Sequence, residues 1–101
     1  MRVDVVRGGP ATVVHVAGEL DAASAPELGD VLEAVGRDAR MVALDLGATS
    51  FIDSAGIRVL VRSLWDIQDA GSTLRLVAAS PAAENILRIT GILDVLKDPK
   101  P

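Results

Sequence analysis

The chain has 101 residues, which is enough for one small domain with a single core and too few for two. Half of the residues are apolar, the formal charge is -4 and cysteine is absent, which together describe a packed globule without disulfides or thiolate metal sites and argue against a nucleic-acid surface. Asp4 and Arg7 interrupt any signal-like segment, and no apolar stretch approaches membrane-spanning length. We therefore expect one cytoplasmic domain over residues 1–101 that contacts neither membrane nor nucleic acid directly.

Four short segments rich in Val, Leu and Ala predict β-strands. The first two flank the loose turn at residues 8–10, Gly-Gly-Pro, which is typical of a hairpin. The third is a nearly continuous apolar run, as in a strand covered on both faces. The predicted strands span residues 2–7, 12–17, 41–46 and 73–79.

Three segments with apolar residues at helical spacing predict α-helices. Ser24 and Glu27 have the spacing of a capping box, and Gly36 gives that first helix its stop. Gly71 follows the second helix, and Ser80 is the predicted N-cap of the third. The predicted helices span residues 25–36, 54–70 and 81–90, and residues 92–96 form either a helical turn or a short edge strand.

The order of these elements is β-β-α-β-α-β-α. Strands that alternate with helices after an opening hairpin indicate an α/β fold. We predict a mixed β-sheet that opens with an antiparallel hairpin and has helices packed on it.

Asp53 and Ser54 stand where the third strand gives way to the second helix. Each has a purely structural interpretation: Ser54 as an N-cap whose hydroxyl accepts a backbone N–H, and Asp53 as a carboxylate near the positive end of the helix dipole. Either residue alone would prove little about function.

The sequence does not offer the residues and motifs that an enzyme active site at this turn would need. A serine nucleophile needs a neighbouring base, and the single histidine, His15, lies in a predicted strand, where we interpret it as a strand-face residue. Residues 52–56 read Ile-Asp-Ser-Ala-Gly, which departs from the nucleophile-elbow pattern, and no phosphate-binding glycine loop occurs. We expect no catalytic residue, no cofactor and no metal site.

An exposed serine hydroxyl at this turn could instead be modified by another protein. A phosphoryl group would add about -1.5 to -2 charges at Ser54. The like charge of Asp53 opposes that group, whereas the helix N-terminus favours it. We therefore predict a change of partner affinity with little refolding.

Three runs of the sequence resemble the STAS domain, and specifically the stand-alone bacterial anti-sigma factor antagonists. They are "GELDAASAPEL", "LDLGATSFIDSAGIRVLVR" and "LRLVAASPAAENILRITGIL", which together extend over almost the whole chain. The most specific element is the D-S-A-G-I run after an apolar strand, because in that family the serine after the aspartate is phosphorylated.

The resemblance implies roles for three residues. Ser54 matches the phosphorylated position, Asp53 matches the acidic residue before it, and Asp21 falls on the acidic loop near the phosphorylated turn. The family often has a second hydroxyl residue after the phosphoacceptor. This chain has Ala55 there, which leaves Ser54 as the only acceptor at the turn.

The resemblance also implies a partner-switching cycle. The unphosphorylated antagonist binds an anti-sigma factor that is also a serine kinase, and so releases a sigma factor. The kinase phosphorylates the serine and ends the complex, and a serine phosphatase acting on phosphorylated Ser54 restores it. On this interpretation the protein is a substrate and a ligand, and not an enzyme.

A partner surface is expected to extend from the turn along the second helix. Trp and Arg are the residue types that most often anchor interfaces, and the acidic side chains would pair with arginines of the kinase. The predicted surface comprises Asp21, Asp53, Ser54, Gly56, Ile57, Arg58, Arg62 and Trp65.

Several of these residues also have structural interpretations. Trp65 lies at the edge of the apolar arc of the helix, and covering the margin of the sheet is the interpretation we favour. Arg62 and Asp66 have the spacing of a surface ion pair, and Val59 is expected on the outer face. Asp21 and its neighbour Glu19 could simply be solvated loop residues.

An alternative function is a STAS-like scaffold subunit of a transport or stress-signalling assembly. In that case Ser54 only caps the second helix. Replacing it by alanine would then cost about 1 kcal/mol of stability and leave binding intact.

Overall fold

In the part of the chain that the structure describes, four strands form a single mixed sheet in the order β1-β2-β3-β4. The structure, a computed structural model, describes residues 1–99. Strand β1 is antiparallel to β2, whereas β2, β3 and β4 are mutually parallel, which confirms the predicted α/β fold with an opening hairpin. The elements are β1 (Arg2–Val6), β2 (Thr12–Leu20), α1 (Ala25–Asp38), β3 (Met41–Ile52), α2 (Ser54–Asp69), β4 (Thr73–Ala79), α3 (Pro81–Ile89) and α4 (Leu93–Lys97).

Strands β2 and β3 are longer than their apolar patterns predicted. Their parallel pairing continues through two register shifts until Leu20 lies opposite Ile52. The polar and glycine residues that interrupt the pattern are accommodated locally, as at Gly47, whose amide donates to Asp45 Oδ1 at 2.8 Å. Because β2 and β3 end side by side, the loop after β2 and the turn after β3 meet at the edge of the sheet formed by the carboxyl ends of these strands.

Helices α1 and α2 pack against each other and against the sheet. A Cβ atom at Gly29 of α1 would lie 2.9 Å from Val59 Cγ2 of α2, so the missing side chain lets the helices approach. Val59 is therefore half-buried between the helices, and its predicted position on the outer face is wrong. Gly36 is likewise a packing residue beside Ile67, and α1 continues two residues beyond the predicted stop.

Leucine and valine side chains fill one core between the helices and one face of the sheet. The opposite face of the sheet carries half-exposed side chains, including His15, Arg75 and Val77. His15 Nδ1 lies 2.7 Å from Asp45 Oδ2 on that face, in agreement with its interpretation as a strand-face residue. The largest fully buried side chains include Leu20, Leu28, Leu32, Leu44, Leu46, Leu60, Leu74, Leu87 and Leu96.

The predicted N-cap of α3 and the predicted glycine stops after α2 and α3 are confirmed. Ser80 Oγ accepts a hydrogen bond from Ala83 N at 3.0 Å and so caps α3. Gly71 and Gly91 have positive φ angles after α2 and α3, as expected of helix stops. The segment at residues 92–96, for which the sequence allowed either a helical turn or a short edge strand, forms the short helix α4. Within residues 1–99, no helix combines the length and apolarity needed to cross a membrane.

Candidate functional site

The Asp53 side chain caps helix α2. Its Oδ1 atom accepts hydrogen bonds from Ala55 N at 2.9 Å and Gly56 N at 3.0 Å, which satisfies two of the backbone donors at the helix start. The other oxygen, Oδ2, accepts from Ala22 N at 3.3 Å, and the Asp53 amide donates to Leu20 O at 3.1 Å. One carboxylate therefore fixes the first turn of α2 and ties it to the loop after β2.

Ser54 is the first residue of α2, and its side chain is exposed. Its hydroxyl makes no hydrogen bond with any part of the chain that the structure describes. The interpretation of Ser54 as the N-cap is wrong, because Asp53 occupies the N-cap position and accepts the helix N–H groups in its place. The Ser54 hydroxyl thus has no structural task within residues 1–99.

Gly56 lets the first turn of α2 sit directly on the strand ends. It is buried, and a Cβ atom there would lie 2.8 Å from Leu20 Cγ, Leu20 O and Ile52 Cγ2. Its assignment to the partner surface is therefore corrected, since its neighbours are core atoms of the same chain. Ile57 is half-buried and also packs against the core.

The acidic loop after β2 lies beside the turn. Asp21 Oδ1 accepts hydrogen bonds at 3.1 Å from three donors: Ala23 N, Ser24 N and Ser24 Oγ. The Ser24 N–H and then the Ser24 hydroxyl lower the pKa of the Asp21 carboxyl, because they stabilise its charged form. The Ala22–Asp53 hydrogen bond joins this loop to the start of α2, so the structure brings Asp21 and Asp53 to one edge.

Ser24 is the N-cap residue of α1, as predicted, but its side chain serves the loop and not the helix. Its single hydroxyl proton is shared between Glu19 O at 2.9 Å and Asp21 Oδ1 at 3.1 Å, and its oxygen accepts from Asp21 N at 3.0 Å. The side chain makes no cap hydrogen bond to α1. The predicted capping box with Glu27 is therefore wrong. The physical reason is competition, since the backbone of the loop offers the same hydroxyl nearer partners.

Three exposed side chains extend from the turn along the outer side of α2. Arg58, Arg62 and Trp65 all face solvent, and Arg62 Nε lies 3.7 Å from Asp66 Oδ2 in the expected ion pair. At about 1.5 Å of rise per residue, the distance from Ser54 to Trp65 along the helix is about 16 Å. Trp65 is 55% exposed, so it does not cover the margin of the sheet as the favoured interpretation held.

Phe51 is a residue near the turn that sequence reasoning missed. It lies near the end of β3, two positions before Asp53, and is 49% exposed. An apolar residue at the end of a buried strand looks like part of the core, so the sequence offered no signal of its exposure. Both aromatic side chains of the chain, Phe51 and Trp65, are thus half-exposed on elements that meet at the turn.

Known proteins show the same sequence pattern and the same fold. The chain matches the STAS domain family model over residues 2–100. The anti-sigma-B factor antagonist of Listeria monocytogenes is 31% identical over 85 residues, which cover 83% of this chain and 75% of that protein. This chain belongs to the STAS domain family.

Two solved structures extend the comparison to the fold. An anti-sigma factor antagonist from Mycobacterium paratuberculosis is 28% identical with a TM-score of 0.82, over 98% of this chain and 86% of that one. The phosphorylated form of the Bacillus cell fate determinant SpoIIAA is 15% identical with a TM-score of 0.70, over 90% and 85% of the two chains. At that identity the second similarity concerns the fold alone.

Proposed function

We propose that this protein is an anti-sigma factor antagonist whose affinity for its partner is controlled by phosphorylation of Ser54. The observation that carries the proposal is the exposed Ser54 hydroxyl at the start of α2, without a hydrogen bond in residues 1–99. Asp53 performs the capping, so Ser54 can be modified without loss of a structural contact. The relatives named anti-sigma-B factor antagonist support the same assignment.

A phosphoryl group on Ser54 would change the charge of the turn more than its fold. It would add about -1.5 to -2 charges at a helix N-terminus, whose dipole favours an anion. The carboxylates of Asp53 and Asp21 lie at the same edge and already make it acidic. The added charge therefore acts mainly on a protein that docks there, through repulsion of its own acidic groups and loss of fit around the hydroxyl.

The docking surface combines this acidic edge with the outer side of α2. Exposed aromatic and arginine side chains supply the contacts that dominate protein interfaces. We assign to the surface Asp21, Asp53, Ser54, Arg58, Arg62 and Trp65, with half-buried Ile57 beneath them and Phe51 added from its exposure.

The proposed partner is an anti-sigma factor that is also a serine kinase. It binds the unmodified protein, releases a sigma factor, and ends the complex by phosphorylating Ser54. A serine phosphatase then restores the binding form. The protein acts in this cycle as a ligand and a substrate in the cytoplasm.

Phosphorylation by the cognate kinase tests the site directly. The protein is incubated with the kinase and ATP, and the modified residue is mapped by mass spectrometry. We expect one phosphoryl group on Ser54 and none on the Ser54→Ala variant, whereas Ser50→Ala, which removes another exposed serine four residues away, should be modified like the unchanged protein. Modification that persists in Ser54→Ala would refute the assignment.

The alternative of a scaffold subunit required Ser54 to do no more than cap α2. Asp53 fills that role, and the Ser54 hydroxyl is free of it, which supports phosphoregulation over the alternative. Binding of an anti-sigma factor that is unaffected by Ser54→Asp would nevertheless favour it over phosphoregulation.

A further inference from the structure

Strand β1 leaves one side of the sheet open. Among residues 1–99 it pairs with β2 alone, so the outward N–H and C=O groups along Arg2–Val6 have no partner strand there. The other edge strand, β4, is flanked by α4, and its Arg75 pairs with Asp98 just after that helix at 3.7 Å. An open edge strand is a template on which a second strand can add.

The two faces of β1 carry different side chains. Arg2 and Asp4 lie on the face of the sheet opposite the core, called the open face below. There Arg2 Nε is 3.1 Å from Asp4 Oδ2, and both side chains are exposed. Val3 and Val5 lie on the core face, opposite the buried Val16 and Val14 of β2. Val5 is 37% exposed, so the core has an uncovered apolar margin along this edge.

We propose that two copies of this chain associate through antiparallel pairing of their β1 strands, with Val3 of one copy opposite Val3 of the other. A two-fold axis perpendicular to the sheet gives this arrangement and makes the contact self-complementary. On the open face, Arg2 of each copy then lies opposite Asp4 of the second copy. On the core face, apolar residues lie opposite one another, including Val3 with Val3 and Met1 with Val5.

The charges select this register over its neighbours. Moving the centre by one residue places either Arg2 opposite Arg2 or Asp4 opposite Asp4. Like charges directly opposite each other in a sheet are destabilising, whereas opposite charges stabilise the pair. The register centred on Val3 is therefore the one that pairs Arg2 with Asp4 while the two core-face valines, Val3 and Val5, also lie opposite apolar residues.

The pairing would join two four-stranded sheets into one sheet of eight strands. It covers the apolar margin at Val5 and gives the outward backbone groups of residues 1–5 a partner strand. The Asp53–Ser54 turn follows β3, which is two strands away from β1. The inference is thus independent of the proposed phosphoregulation.

Charge reversal along β1 tests both the interface and its register. Self-association is measured by sedimentation velocity over a range of concentrations, with any affinity tag placed at the C-terminus. The variants R2D and D4R each place like charges opposite each other, and we expect each to raise the dimer dissociation constant roughly tenfold or more. The double variant R2D/D4R exchanges the two charges and should restore dimerisation.

An equimolar mixture of the R2D and D4R variants should form a heterodimer, since one then carries only acidic and the other only basic side chains on this face. Reversal of the exposed Arg88–Glu84 pair on α3 is the matched control and should leave self-association unchanged. Circular dichroism checks that each variant is folded. A monomeric unchanged protein at the highest concentration, or a double variant that fails to regain dimerisation, would overturn the proposal.

Discussion

The two neighbouring side chains at the start of α2, Asp53 and Ser54, differ in their hydrogen bonding. Asp53 accepts two helix N–H groups and one from the loop after β2, whereas the Ser54 hydroxyl has no partner within residues 1–99. The structural role therefore falls on Asp53, and the regulatory role that we propose falls on Ser54. This division would let Ser54 be phosphorylated while the helix start keeps its hydrogen bonds.

Alanine substitution should separate the two roles. Asp53→Ala removes the cap and should lower the free energy of unfolding by about 1–2 kcal/mol. Ser54→Ala removes an exposed hydroxyl and should change it by no more than about 0.5 kcal/mol. Urea denaturation of both variants measures the difference, and a loss of stability in Ser54→Ala as large as that in Asp53→Ala would contradict the capping assignment.

The Asp21 carboxyl gives a second prediction at this scale. Its pKa in the folded protein is lowered by hydrogen bonds from the Ser24 N–H and the Ser24 hydroxyl. The contribution of Asp21 to stability is therefore complete above the pKa of the unfolded chain, and is lost as the pH falls through the lower folded pKa. Acid should thus loosen the loop after β2.

Removing one of those donors should raise the pKa of Asp21. In Ser24→Ala the hydroxyl is lost while the Ser24 and Ala23 N–H groups remain, so the pKa should move part of the way back to its ordinary value. An NMR titration that follows the Asp21 carboxyl carbon measures the change. An Asp21 pKa that is the same in the two proteins would show that the hydroxyl contributes nothing.

At the scale of elements, two glycines allow the helices to pack closely against the strand ends and against each other. Gly56 brings α2 onto the ends of β2 and β3, and Gly29 brings α1 against α2. The two positions differ in what a methyl group would meet. At Gly56 it would meet a backbone carbonyl and two core side chains, whereas at Gly29 it would meet only the end of the Val59 side chain.

Glycine-to-alanine substitutions at these positions should therefore differ in effect. Gly56→Ala should reduce the free energy of unfolding by roughly 1–3 kcal/mol, since the core must shift to admit the methyl group. Gly29→Ala should be close to neutral, because the gain in helix propensity of about 1 kcal/mol offsets a small movement of Val59. Thermal or urea denaturation of the pair measures both, and equal losses would contradict this account of the packing.

The sequence predicted these elements best where a repeating pattern ran without interruption. Strand β4 has the predicted bounds, and Ser80 caps α3 as expected. The Ser24 side chain and Gly36 were misassigned because the same residue types serve turns and close packing as well as helix ends. The extension of β3 was missed since parallel pairing with β2 holds its polar residues in the strand, a contact that no local pattern records.

At the scale of the whole molecule, the helices pack on one face of the sheet, and the acidic turn lies at the carboxyl ends of the interior strands β2 and β3. The D-S-A-G-I pattern located the turn in the sequence, but only the structure shows that Asp53 is the cap and that Phe51 is exposed beside it. Side-chain burial at Phe51, Gly56 and Trp65 depends on how separate elements meet. Residue type and spacing alone could not supply it.

The most direct measurement compares the affinity of the cognate anti-sigma factor for two forms of this protein, one unmodified and one with phosphoserine installed at Ser54. Isothermal titration calorimetry gives the dissociation constants, NMR amide spectra report on the fold, and phosphoserine at exposed Ser50 is the control. We predict that phosphoserine at position 54 raises the dissociation constant by at least about tenfold, with spectral changes confined to the turn. Equal affinities of the two forms, or a spectrum showing that phosphoserine unfolds α2, would contradict a charge switch on an unchanged fold.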